Sequence, residues 1–208
     1  MKEMNIVGIH GIHDDGNKGL DPIGRAVAKI FRCSYREPIM PVRSATACYW
    51  ASVNQADADE CLPYIDEGSV VIAHSRGCLL TDLLMRRGRF MGTVVFLAPA
   101  LPADTMPGDA NFGNMLIVFN PEDKAMLAAR FLPFHPFTGR RPLALTRTML
   151  GQAGYTGDYR RHKVSQWDGR DIAGVGDTWL DHSNFWTSPG AIEATADALA
   201  TWIRNANA

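Results

Sequence analysis

With 208 residues, 46% of them hydrophobic, the chain carries enough apolar material for one substantial core, and a single domain over 1–208 is expected. A formal net charge of -1 excludes a nucleic-acid or anionic-surface binder held by bulk electrostatics, and no apolar run is long enough to span a bilayer. Cys33, Cys48, Cys61 and Cys78 are scattered without a CxxC pair, which fits free thiols in a reducing cytoplasm better than a disulfide framework or zinc site, so a cytoplasmic protein is expected.

Asn5 to Ile9 is an apolar run read as a first strand, so close to Met1 that no leader segment is expected, and it ends in His10-Gly11. Asp21-Pro22 signals the cap and first turn of a helix with Ile23, Ala26, Val27, Ile30 and Phe31 on one face. Ser44 to Trp50, mixed in pattern, is read as a second strand. Three strands of buried type follow, Ser69 to Ala73, Thr93 to Ala98 and Met115 to Phe119, the first leading into a helix from Cys78 to Arg87 with Leu79, Leu80, Leu83 and Leu84 on one side. Ser188-Pro189 opens a terminal helix with Ile192, Ala196, Leu199 and Ile203 at helical spacing. Strands that are apolar throughout and separated by helices predict an α/β fold: a mostly parallel sheet with helices on both faces. Between 124 and 163 the pattern blurs. That stretch reads as a lid or cap, or equally as a surface excursion packed by its own phenylalanines.

The segment Val70-Val71-Ile72-Ala73-His74-Ser75-Arg76-Gly77 carries the chemistry. A buried strand runs into a serine with small residues two positions away on each side, and a helix follows at once, as in a nucleophile elbow. The usual pattern is GxSxG, and alanine at 73 is its smallest departure. A serine hydroxyl needs a base, and the base a carboxylate, in the chain order serine, acid, histidine. His182, just before the terminal helix, is better placed than His135 between prolines or His162 in a basic run. For the acid, Asp123 lies just past the strand Met115 to Phe119, with Glu122 and Asp104 as rivals. The oxyanion hole would take one amide from Arg76 and one from Ile12, where Gly11 lets the backbone come close. His10, Gly11 and His74, with Phe134 and Phe137 of the excursion, are expected to border the substrate, and Arg140, Arg141 and Arg147 would favour an anionic one.

With these parts in place the chain resembles the α/β-hydrolase family, on His10-Gly11 after an early strand, Ala73-His74-Ser75-Arg76-Gly77 at the elbow, Asp123, His182 and the closing helix. The resemblance covers nearly the whole chain. It implies a compact α/β-hydrolase fold, with an eight-stranded sheet or a version trimmed of its first two strands. It implies further a serine hydrolase acting on a small-molecule ester or related acyl compound, without cofactor, metal or nucleic-acid partner. Acyl transfer, thioester or peptide cleavage by the same three residues stays open, as does a catalytically inactive binding module on this fold; oligomeric state is not legible.

Two other readings are weaker. Gly11 to Lys18 approaches a phosphate-binding P-loop, but Asn17 displaces the lysine from its place after glycine, no serine or threonine follows, and Asp14-Asp15 would repel phosphate. His10, His13, Asp14 and Asp15 lack a visible further ligand to complete a metal site.

Overall fold

The protein is described from a computed structural model covering residues 3–11, 20–39, 50–104, 106–125, 149–158, 163–172, 182, 186 and 188–208. Along the chain run β1 (Asn5–Ile9), α1 (Asp21–Phe31), β2 (Ser34–Arg36), α2 (Ala51–Cys61), β3 (Ser69–His74), α3 (Arg76–Arg86), β4 (Met91–Leu97) and β5 (Phe112–Phe119). A single-turn helix α4 (Leu150–Ala153), β6 (Val164–Asp168) and the long terminal helix α5 (Pro189–Ala206) follow among the described residues.

The six strands form one sheet in the order β2-β1-β3-β4-β5-β6, and every neighbouring pair is parallel. Alternation along the strands divides the core in two. Ile6, Val70, Ile72, Val95, Leu97, Leu116 and Val118 face a layer that includes Ile23 and Val27 of α1 and Leu199 and Ile203 of α5. Val7, Ile9, Val71, Ala73, Val94, Phe96, Met115 and Ile117 face Ala58 and Cys61 of α2 and Leu79, Leu80 and Leu84 of α3. Both faces are therefore covered, which is why the middles of β1, β3, β4 and β5 are apolar on successive residues rather than alternating. The architecture is the expected α/β sheet with helices on both sides.

The order reverses direction between β1 and β3: β2 lies to one side of β1, and β3 to β6 run away on the other. At such a switch point the loops leaving the two strands turn apart, opening a crevice beyond their carboxyl ends. His10-Gly11 and Ser75 sit at these two ends, with Ile9 opposite Ala73 in the register.

Three expectations change. The second strand is Ser34–Arg36, a short, half-exposed edge segment; of the stretch 44–50, residues 44–49 lie outside the described residues and Trp50 is the extended residue preceding α2. The strand β6 went unpredicted because Val-Ser-Gln-Trp-Asp is half-buried throughout and lacks an apolar run. Asp21 does not cap α1. The chain enters through Leu20, already helical at φ -69°, ψ -23°, which leaves Asp21 in the first turn accepting hydrogen bonds from Arg25 Nε at 2.8 and 2.7 Å.

Ser188 does cap α5, its Oγ accepting from the Ala191 amide at 3.1 Å. Ser188→Ala should therefore cost about 1 kcal/mol in urea denaturation, whereas Asp21→Ala, which removes an exposed pair rather than a cap, should lower the midpoint less.

Candidate active site

The turn after β3 holds Ser75 at φ 52°, ψ -118°. That is a sparsely populated conformation for a residue with a side chain, worth strain on the order of 1–3 kcal/mol. Backbone hydrogen bonds fix it there: the Ser75 amide donates to the Leu97 carbonyl at 3.0 Å, and the Ser75 carbonyl accepts from the amides of Cys78 at 3.2 Å and Ala100 at 3.3 Å. Both flanking small residues have physical reasons. A Cβ on Gly77 would sit well inside contact distance of the Ile9 carbonyl oxygen, so only glycine lets α3 pack on the end of β1. Ala73 has ordinary strand geometry and its methyl is fully buried among core residues, which explains why the site tolerates alanine where the usual motif has glycine.

Across the sheet edge, Asp123 and His182 meet: His182 Nδ1 lies 2.7 Å from Asp123 Oδ2. Asp123 is fully buried, and its amide donates to the Asn120 carbonyl at 3.1 Å in the turn that ends β5. A carboxylate accepts, so Nδ1 carries the imidazole proton in this pair and Nε2 is left as the acceptor. Glu122 points elsewhere, pairing with Arg170 at 3.2 Å on the surface, and Asp104 is exposed in the loop after β4. Of the three candidate carboxylates it is Asp123 that reaches the histidine.

His74, one residue before the serine, binds the same histidine by another route. Its Nε2 lies 3.0 Å from the His182 carbonyl oxygen, and its ring packs on the His182 imidazole with centroids 4.7 Å apart and on Trp186 edge-on, also at 4.7 Å. A carbonyl only accepts, so Nε2 of His74 bears the proton. Burial first, then the neighbouring His182 and His10, hold the His74 imidazole well below its ordinary value of 6.5, against a smaller opposing effect of the His182 carbonyl.

Gly11 backs directly onto the serine: a Cβ there would lie 3.0 Å from Ser75 Cβ and 3.4 Å from Ser75 Oγ. His10 is buried, with Nε2 3.8 Å from Glu37 Oε1. Glu37 escaped the sequence reading because β2, which delivers it to this edge, escaped too. The Arg76 amide opens α3, where first-turn N–H groups have no carbonyl within the helix to bind. Its side chain turns into the core instead. The guanidinium meets Asp57 at 2.6 Å and Asn54 at 2.9 and 2.7 Å, all three residues being buried. Ile12, Phe134 and Phe137 lie outside the described residues, as do His13, Asp14, Asp15, His135, His162, Arg140, Arg141 and Arg147. Most of 124–163 does too. Among the described residues no three His, Cys, Asp or Glu side chains are grouped to hold a metal ion, and no described helix is long and apolar enough to cross a membrane.

No protein-family model matches the sequence, and no curated protein matches it. Solved structures of low similarity include a protein classed as a hydrolase of the α/β superfamily from Xanthomonas campestris pv. campestris, at 12% identity and TM-score 0.46 over 98% of this chain and 99% of that one. Others are an extracellular α/β-hydrolase from a Paenibacillus species, at 10% identity and TM-score 0.49 over 95% and 99% of the two chains, and a pyrethroid hydrolase, at 13% identity and TM-score 0.45 over 97% of each. Such values are too low to transfer an activity, and the α/β fold stands on its own strand order and register.

Removing one partner of the buried Arg76–Asp57 pair should be costly, since the other charge stays behind in the core. Asp57→Ala is expected to lose about 3–5 kcal/mol of unfolding free energy. His74 gives a pH signature. It is neutral in the folded chain where the unfolded chain would protonate it, so the unfolded state binds more protons below about pH 6.5 and stability falls as pH falls. Replacing His74 by Gln should flatten that decline by up to about 1.4 kcal/mol per pH unit, read from denaturation midpoints between pH 7 and 5.

Proposed function

We propose that the protein is a serine hydrolase that cleaves a carboxylic ester or related acyl compound through an acyl-enzyme on Ser75. The observation that carries this reading is the 2.7 Å Asp123–His182 contact, between residues 59 apart in sequence, at the sheet edge where Ser75 is held at φ 52°. A buried carboxylate orienting an imidazole that packs on His74, the residue before a strained, hydrogen-bonded serine, fits acyl transfer better than any other chemistry these side chains offer.

In this mechanism His182 Nε2 takes the Ser75 hydroxyl proton as Oγ attacks the acyl carbon. The carbonyl oxygen becomes an oxyanion, bound by the amides of Arg76 and Ile12. The intermediate then collapses: the bond to the leaving alcohol breaks, and His182 returns the proton to that oxygen. Water repeats the sequence, with His182 taking its proton, and releases the acid and free Ser75. Asp123 keeps the proton of His182 on Nδ1 and stabilises the imidazolium that forms twice in each turnover. The N-terminal dipole of α3 points its positive end at the same oxyanion. We place the protein in the cytoplasm on the same footing, supported by Cys33 and Cys78 being free thiols.

The test is a screen of p-nitrophenyl esters of graded chain length, together with fluorophosphonate labelling read by mass spectrometry. Ser75→Ala should abolish labelling and lower turnover by roughly 10³-fold or more. Asp123→Asn should keep the fold and lower kcat by up to about 10⁴-fold. Labelling that survives Ser75→Ala would overturn the assignment, and a folded protein with neither turnover nor labelling would be a binding module.

A further inference from the structure

We propose that His74 is a positioning residue for His182, anchoring the main chain of the base from the end of β3 while Asp123 anchors its ring from the end of β5. This rests on the serine-hydrolase reading of the site.

The contacts leave His74 poorly suited to touching substrate. Only 4% of the residue is exposed. The His182 ring lies against it at 4.7 Å with an interplanar angle of 44°, Trp186 meets it edge-on, and a Cβ built on Gly11 would stand 3.4 Å from Nδ1. Its hydrogen bond from Nε2 to the His182 carbonyl, at 3.0 Å, joins residues 108 apart in sequence. That bond supplies what the Asp123 contact cannot. The Asp123 contact restrains the ring at Nδ1, and by itself such a bond would let the imidazole pivot about the Nδ1–Oδ2 line and swing Nε2. A second attachment at the main chain, with a ring packed on a ring, removes that freedom.

Charge favours the arrangement as well. Among the described residues, the titratable groups that act on His74 are His182, whose ring meets Asp123, and His10, whose ring meets Glu37. When His182 takes the serine proton, a cationic His74 beside it would oppose that step. Burial and these neighbours keep His74 neutral, so it donates its hydrogen bond without adding a second positive charge.

The experiment measures fluorophosphonate inactivation of the full chain, separating the limiting rate kinact from the binding constant Ki, for the wild type, His74→Phe and His74→Gln, with unfolding followed by circular dichroism. Phenylalanine keeps a ring and removes the donor; glutamine places an amide N–H near the Nε2 position. We expect His74→Phe to slow kinact about 10- to 100-fold with Ki unchanged, and His74→Gln to restore most of the rate. Should the phenylalanine variant not fold, His74→Asn, whose shorter amide cannot reach the carbonyl, takes its place with the same expectation. Wild-type kinact in the donor-less variant overturns the proposal and leaves the hydrolase reading standing. A raised Ki with normal kinact marks a substrate contact, and equal slowing in the donor-less and glutamine variants marks packing alone; either overturns it. A wild-type protein that does not label at Ser75 overturns the hydrolase reading and this role with it.

Discussion

Helix α3 approaches the end of β1 so closely that a single methyl group at Gly77 would collide with the Ile9 carbonyl oxygen, and the geometry of the candidate site follows from that contact. The register sets Ile9 beside Ala73, so β3 must turn into α3 within two residues and directly above β1. Only a backbone bent through the unfavourable φ of Ser75 completes that turn. The resulting strain is small beside what opposes it: three backbone hydrogen bonds to Ser75, and the burial of Leu79, Leu80 and Leu84 against the sheet, each worth about 1.5–3 kcal/mol. Unbending the serine would require peeling α3 from the core.

Where burial on both faces makes a strand apolar, the sequence was a good guide. The span Asn5 to Ile9 agrees at both ends, and Ser69 to Ala73, Thr93 to Ala98 and Met115 to Phe119 each fall on an observed strand, with ends displaced by up to three residues. The two edge strands were invisible for the complementary reason: β2 and β6 are half-solvated, so Ser-Tyr-Arg and Val-Ser-Gln-Trp-Asp carry no hydrophobic signature. The choice among Asp123, Glu122 and Asp104 was open in the sequence, since all follow buried strands, and only side-chain direction separates them. The contacts of His74, and the pairing of Arg76 with Asn54 and Asp57, join residues 108, 22 and 19 positions apart. No local pattern encodes them.

The charge distribution around the elbow is tightly compensated. A cation in the first turn of a helix opposes the positive end of the helix dipole, and Arg76 occupies that place with its side chain buried. Asp57 neutralises it at 2.6 Å, and Asn54 accepts two further hydrogen bonds from the same guanidinium. What remains facing the serine is the partial positive charge of the α3 amides, directional and free of a mobile counter-charge. His74 follows the same rule, buried and held neutral. The carboxylate–imidazole contacts near this end of the sheet are Asp123–His182 at 2.7 Å and the looser His10–Glu37 contact at 3.8 Å.

The way His182 is held shows what the parallel sheet contributes beyond a platform. Two of its hydrogen-bonding partners rise from different strands: His74 from β3, and Asp123 from the turn after β5, with β4 between them. Two strand spacings, roughly 10 Å, separate those strand ends, and the histidine bridges the gap with its ring at one side and its carbonyl at the other. Its placement relative to Ser75 is therefore set by the spacing and register of three hydrogen-bonded strands, Ala73 opposite Phe96 and Phe96 opposite Ile117. A close-packed sheet resists changes in either quantity. The position of His182 thus derives from the close-packed sheet, even though the residue itself belongs to no described strand.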